Sequence, residues 1–517
     1  MASSSCNPET FSSLSSDSID VQSIYASVVT DFPIESELQI PNHGYYSAGT
    51  VDFCNVTIAY THPDEEDYPI NFEAWLPDHD SWNERLIASG GSGFAAGRFS
   101  DTYKFMSGLI DEGYASFTTD GGTPNVTNFE FALKETGVVD EIRLRNWATV
   151  AIGDMATIGK AVVEKYYDQP AKYSYFSGCS QGGRQGYDFA QRYPDAFDGI
   201  AAAAPVISFL EATYNIFWPQ FLMNQAESWS RGCELDSLTA LVVQSCDGRD
   251  GVEDGLISDP ALCEDFDPFE HVGESAIACA DTTSTISETA AYIANATWTG
   301  ITDQSGKILY PGILPGSDLT GNSSGIGIAT TTCYDRDNGD CEGLAIELGY
   351  AVARVFSEKD SDFDYTQITL DSLYRGLEEA RDKYGDDVQA MNPDLSAFRD
   401  RGGKLITYHG LADQLLTTGI VRRYYKEATT FTPDIHDFFR YFEIPGLGHC
   451  VGPQHPHSTF NSLKLWVEEG IIPETLAYQQ PDAEDREGER IACAYPKKAV
   501  YDKCCGDSYK AECYKCR

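Results

Sequence analysis

One stretch constrains the fold of this chain more than any other: Tyr173-Ser-Tyr-Phe-Ser-Gly-Cys-Ser180-Gln-Gly-Gly-Arg-Gln-Gly186. A β-type run meets Gly178-Cys179-Ser180-Gln181-Gly182, which fits G-x-S-x-G, and Gly183 to Arg192 can open a helix. Strand, sharp turn and helix in that order is what a nucleophile elbow requires, whereas an isolated G-x-S-x-G reads equally well as a structural turn. The elbow crowds its neighbours, and glycines at 178 and 182 leave the room. The Ser180 hydroxyl then projects beyond a sheet at a helix N-terminus, where the local dipole favours a developing oxyanion.

A fold of this kind supplies its acid and base further along the chain, in the order Ser, Asp or Glu, His. Lys404–His409 reads as a strand with Asp413 just past its end. Phe438–Ile444 reads as the next strand, followed by His449 in Pro445-Gly-Leu-Gly-His449-Cys450. Both residues sit at carboxyl ends of strands, where open α/β sheets place their chemistry. Nine histidines exist. His409 alternates into a strand and reads as packed, His436 precedes a strand, and His455 and His457 are the exposed-loop alternatives for the base. The roles follow: His449 takes the Ser180 proton and returns it to the leaving alcohol, while Asp413 fixes the imidazole tautomer. The oxyanion hole needs the Gln181 N–H and a second donor from Ser89-Gly90-Gly91-Ser92-Gly93, for which Gly91 stands as the candidate. Cys179 adjoins Ser180 and Cys450 adjoins His449, so a Ser–His contact would bring those two cysteines within bridging range.

The rest of the first 205 residues agrees with an α/β class. Candidate strands are Val51–Tyr60, Ile70–Leu76, Arg85–Ser89, Tyr114–Thr118 and Tyr173–Ser177, and Glu141–Tyr166 carries apolar residues at helical spacing. This alternation predicts a mainly parallel sheet covered on both faces. From Val206 to Arg399 the pattern turns loop-rich. A chain of 517 residues exceeds one simple core. The reading is an α/β-hydrolase domain made of 1–205 and 400–517, interrupted by a lid at 206–399.

Charge and cysteine usage bound the partners. The formal net charge is −44, which repels nucleic acid and anionic membranes, and no apolar run reaches the ~18 residues of a membrane span. Fifteen cysteines lack zinc-finger spacing. Together with sequons at Asn55, Asn125, Asn295 and Asn322 they read as an oxidising, secretory setting and an extracellular, secreted protein. The start, Met1-Ala-Ser-Ser-Ser-Cys6, reads as a mature N-terminus behind an added Met. The odd cysteine count leaves at least one thiol free or bridged to another molecule.

Gly178-Cys-Ser-Gln-Gly-Gly-Arg-Gln185, Asp413 and His449-Cys450, with Gln191–Gly199, Tyr310–Gly316 and Cys493–Lys497, resemble the tannase and feruloyl esterase family of fungal secreted esterases. The resemblance implies an α/β-hydrolase with a lid, acting on galloyl or hydroxycinnamoyl esters of small molecules, plant polyphenols or cell walls. Galloyl esters are the leading reading, and feruloyl or p-coumaroyl esters the alternative. Acyl selectivity is expected near Tyr214, Phe217 and Trp218. The resemblance also implies that Cys6, Cys54, Cys246, Cys263, Cys493 and Cys516 are disulfide-bonded, as are Cys179 and Cys450. It leaves the partners of Cys233, Cys279, Cys333, Cys341, Cys504, Cys505 and Cys513 open. Cys246-Asp-Gly-Arg-Asp-Gly-Val-Glu-Asp-Gly-Leu256 offers acidic residues among glycines, the oxygen-rich turn that a hard cation wants, although such a turn is often only a turn. It looks like a structural Ca²⁺ loop of that family, which implies ligands at Asp247, Asp250 and Asp254 and the carbonyls of Val252 and Leu256. Asp335–Asp340 is a weaker copy. A reading from another class is a non-catalytic, calcium-stabilised binding protein on the same scaffold. It would require loss of a triad member.

Overall fold

The computed structural model describes residues 5–14, 18–123, 128–280, 283–303, 305–333, 341–480 and 488–517. Nine strands form one sheet: β1 (Asp20–Pro33), β2 (Thr50–Thr61), β3 (Ile70–Leu76), β4 (Arg85–Ser89), β5 (Ala115–Thr119), β6 (Tyr173–Cys179), β7 (Gly199–Ala203), β8 (Lys404–Gly410) and β9 (Phe439–Ile444). Their order across the sheet is β1-β2-β3-β5-β4-β6-β7-β8-β9. The first four pair antiparallel, and every pairing from β5 to β9 is parallel. The parallel strands β5 and β7 are buried at every residue, as helices on both faces require. β1 is an edge strand with mixed exposure.

The predicted strands fall where expected, with Tyr114–Thr118 shifted by one residue. Two were not predicted. β1 reads as polar because it is an edge strand, with no partner on its far side among the described residues. β7, Gly-Ile-Ala-Ala-Ala, lacks the β-branched and aromatic residues by which strands are recognised. The predicted helix at Glu141–Tyr166 runs to Tyr167 but changes to a π-turn at Asn146–Val150. That turn presents Trp147, whose indole N–H donates to the Phe94 carbonyl at 2.8 Å.

All nine strands lie outside residues 206–399. Within that span the described residues form mainly helices, including Phe209–Ala226, Gly232–Cys246, Glu347–Ser357 and Leu370–Val388. The apolar interior does not stop at this boundary: Phe209, Trp218, Phe356 and Ala390 belong to the same buried cluster as Trp147 and Phe176. This helical segment therefore shares its core with the sheet. At the C-terminal end, the hairpin Thr475–Gln479 and Glu489–Cys493 docks beside β9, where the Tyr495 N–H donates to the Tyr441 carbonyl at 2.8 Å.

Seven disulfides are present. Those expected among Cys6, Cys54, Cys179, Cys246, Cys263, Cys450, Cys493 and Cys516 pair as 6–54, 179–450, 246–263 and 493–516. The open cysteines resolve into 233–279, 333–341 and 505–513, which leaves Cys504 as an exposed thiol. Of the sequons, Asn295 and Asn322 are exposed. Asn55 lies inside β2 with its side-chain oxygen buried, and Asn125 lies outside the described residues, as does Asp335–Asp340.

Candidate active site

Ser180 caps β6 and begins the helix Gln181–Arg192. Its backbone holds φ 59° and ψ −114°, a region that costs a non-glycine residue about 1–3 kcal/mol. Three hydrogen bonds hold it there. The Ser180 N–H donates to the Ala203 carbonyl at 3.1 Å, and its own carbonyl accepts from Arg184 N at 3.0 Å and Val206 N at 3.2 Å. A Cβ at Gly178 would lie 2.7 Å from the carbonyl carbon of Gly182, so both positions of the motif must stay bare.

Asp413 follows β8 and is 2 % exposed. Its Oδ1 accepts from the N–H groups of Leu415 at 2.9 Å and Leu416 at 2.8 Å. Its Oδ2 lies 2.8 Å from His449 Nδ1. The His449 backbone N–H donates to Gln414 Oε1 at 3.0 Å, which anchors the loop after β9. Burial alone would raise the Asp413 carboxyl. The charge of His449 and hydrogen bonds from His409 and His449 outweigh it and hold the group well below the usual carboxylate range. A carboxylate that stays ionised beside Nδ1 leaves Nε2 of His449 as the nitrogen available to act as a base. The Cys179–Cys450 disulfide, with Cα atoms 5.9 Å apart across a sequence separation of 271, ties the residue before Ser180 to the residue after His449.

The oxyanion region departs from expectation at one residue. Gln181 is the first helical residue, with its N–H at the helix N-terminus beside Ser180. Gly91, however, is not a free donor. Its N–H donates to Gln185 Oε1 at 2.9 Å, and its carbonyl accepts from Gly182 N at 3.0 Å. The second amide of the hole is therefore not that of Gly91, which instead laces the glycine loop to the elbow. Gln185 is fully buried, and its Nε2 also donates to the Ala96 carbonyl at 2.8 Å. Arg184 fixes the other side: Nε donates to Gln181 Oε1 at 3.0 Å, Nη1 to Asp188 at 2.8 Å and Nη2 to the Ala148 carbonyl at 2.9 Å. Its guanidinium lies 5.1 Å from the Trp147 ring centroid. Sequence reading passed over Arg184 and Gln185. The available signal was their i+3 to i+5 placement after Ser180–Gln181, which turns them toward the elbow.

The other histidines are settled by contacts. His436 bonds Tyr425 at 2.9 Å, His457 is exposed, and His455, expected on an exposed loop, is 1 % exposed. His409 is buried, as read from its alternation, but its Nε2 lies 3.0 Å from Asp413 Oδ2. Tyr214, Phe217 and Trp218 are packed into the core. Tyr214 bonds Ser357, Phe217 meets Tyr365 edge-on, and Trp218 stacks on Phe221, so these three rings pack the interior of the 206–399 segment.

In the acidic loop the carboxylates of Asp247, Asp250 and Asp254 accept the backbone N–H groups of Val252, Asp254, Gly255 and Leu256. Asp254 also pairs with Arg490, which comes from the C-terminal hairpin. Among the described residues no three His, Cys, Asp or Glu side chains converge as a metal group. By donor chemistry the loop nonetheless fits a hard cation. Three carboxylates and the carbonyls of Val252 and Leu256 share one segment stapled by Cys246–Cys263. Burial raises the carboxyls of Asp250 and Asp254, against the opposing charge of Arg490.

The family described as "Tannase and feruloyl esterase" matches residues 54–517. A probable feruloyl esterase of Arthroderma benhamiae is 35% identical over 90% of this chain and 86% of its own. The tannin acyl hydrolase of Aspergillus niger superposes with a TM-score of 0.84 at 25% identity, covering 99% of this chain and 95% of that one. Feruloyl esterase B of Aspergillus oryzae gives 0.77 at 24% identity, covering 99% and 100%, and shares the fold. These likenesses count against the non-catalytic reading.

Proposed function

Since the chain belongs to the tannase and feruloyl esterase family and is a carboxylic ester hydrolase, we propose that it cleaves esters of aromatic acids through an acyl-enzyme on Ser180. The Ser180 hydroxyl attacks the ester carbonyl as His449 Nε2 takes its proton. The Gln181 N–H and a second loop amide hold the oxyanion. His449 returns the proton to the leaving alcohol, then activates the water that releases the acid and restores Ser180. The observation carrying this reading is the Cys179–Cys450 bridge, which couples Ser180 to a histidine already bonded to a buried carboxylate. The hydroxycinnamoyl reading draws on the 35% identical relative, and the galloyl reading on the tannin acyl hydrolase likeness. The first has the greater identity behind it. The test is kcat/KM on methyl gallate, ferulate and p-coumarate. Turnover of ferulate or p-coumarate at least 10-fold above gallate supports the hydroxycinnamoyl arm, the reverse supports the galloyl arm, and hydrolysis of none removes the aromatic-ester reading. The protein is further proposed to be secreted, with glycans at Asn295 and Asn322, and to hold a structural calcium ion on Asp247, Asp250, Asp254 and the carbonyls of Val252 and Leu256. Seven disulfides support the oxidising setting, and no described helix is long and apolar enough to cross a membrane.

A further inference from the structure

Asp413 Oδ2 is shared by two imidazoles. His449 Nδ1 lies 2.8 Å away and His409 Nε2 lies 3.0 Å away, while Oδ1 accepts two backbone amides. An ionised carboxylate has about four acceptor sites, so the four donors saturate it. We propose that His409 is a positioning residue of the ester hydrolysis, holding the Asp413 carboxylate in the orientation that fixes His449.

Its placement follows from the strand. His409 is the penultimate residue of β8, and the chain turns through Gly410, Leu411 and Ala412 to bring Asp413 back over it. The ring is fully buried. A carboxylate only accepts, so in this bond His409 Nε2 carries the proton and donates. Nδ1 has no partner among the described residues, which makes the bond to Asp413 the one hydrogen bond this ring forms there. A histidine kept only to fill space does not need its single bond on the acid of a triad. The two amides pin Oδ1 but leave rotation about the axis through it, and His409 removes that freedom. When His449 becomes imidazolium, the carboxylate that steadies it is thereby tethered to the central sheet through His409.

The inference rests on the triad reading, and the experiment separates the two. His409→Gln places an amide donor where Nε2 stands, whereas His409→Asn places one where Nδ1 stands, a bond short of Asp413. Both variants are compared with the parent on a hydrolysed ester, alongside Ser180→Ala, with Tm measured for each. The expected result is a kcat for His409→Asn about 10- to 100-fold below the parent, the scale set by small misplacements of catalytic groups. KM should stay within about 2-fold, and His409→Gln should recover most of the kcat. Equal kcat in both variants, at either the parental or a reduced level, overturns the positioning role, as does a Gln variant that fails to fold. Hydrolysis surviving in Ser180→Ala overturns the triad reading instead, whatever the His409 variants do.

Discussion

At the scale of single residues, the candidate catalytic groups were readable wherever chemistry tied them to chain order. Ser180 follows from a strand-turn-helix context, and Asp413 and His449 from their places after the next strands. Gly91 was expected to be a free donor, and His409 was rightly read as packed but without its contact, for one reason: what each touches, Gln185 for one and Asp413 for the other, is fixed by tertiary structure. A glycine loop does not disclose that its amide is already engaged, and alternation along β8 places His409 inside without saying what it touches. The adjacency of Cys179 and Cys450 to Ser180 and His449 did carry through to a disulfide. In the chain-entropy model a loop of that length is worth up to ~5 kcal/mol, and the greater effect falls on geometry, because Ser180 and His449 must stay within reach. Replacing both cysteines by serine is expected to lower kcat by about 10-fold or more while KM changes little. Parental kcat in a folded double variant would contradict that, and steady-state kinetics at matched pH reads it.

Among the elements, legibility tracked composition. Ile70–Leu76 and Arg85–Ser89 were bounded to the residue because their apolar residues stop at flanking polar and proline-containing turns. β7 escaped because alanines signal no strand and only its neighbours β6 and β8 make it one. The acidic lid loop was recognisable as an oxygen-rich turn, but not its link to Arg490, 236 residues after Asp254. A bound ion would stabilise the native state alone, about 2.7 kcal/mol at a free concentration 100 times Kd. For a chain of this length that corresponds to a chelator-induced fall in Tm of roughly 2–3 °C, restored by added calcium. Differential scanning calorimetry with and without chelator reads it. An unchanged Tm in protein that elemental analysis finds to contain calcium, or protein purified without calcium and indifferent to it, would refute the site.

For the molecule as a whole, charge and buried histidines act in opposite directions as pH falls. The net charge of −44 relaxes toward the pI near 4.3, which weakens self-repulsion. His43 and His455 are both pushed down to about 3, chiefly by burial. The unfolded chain takes up their protons from about pH 6.5 downward and the folded chain only near 3, so their contribution is complete above 6.5 and is lost between 6.5 and 3. At pH 5 each loses about 2 kcal/mol. Neither ring nitrogen of His455 has a partner among the described residues, so His455→Phe is expected to reduce the stability lost between pH 7 and 5 by about that amount. Urea unfolding at the two pH values reads it, and an unchanged difference would contradict the assignment. The shared core of sheet and lid makes the site a property of the entire chain, so the decisive measurement uses the intact protein. A fluorophosphonate is added and the modified peptide is located by mass spectrometry, with the Ser180→Ala variant alongside. The account expects one adduct, on Ser180, stoichiometric with loss of ester hydrolysis and absent from a folded, inactive variant. An adduct on another residue, or hydrolysis that persists without Ser180, would contradict it.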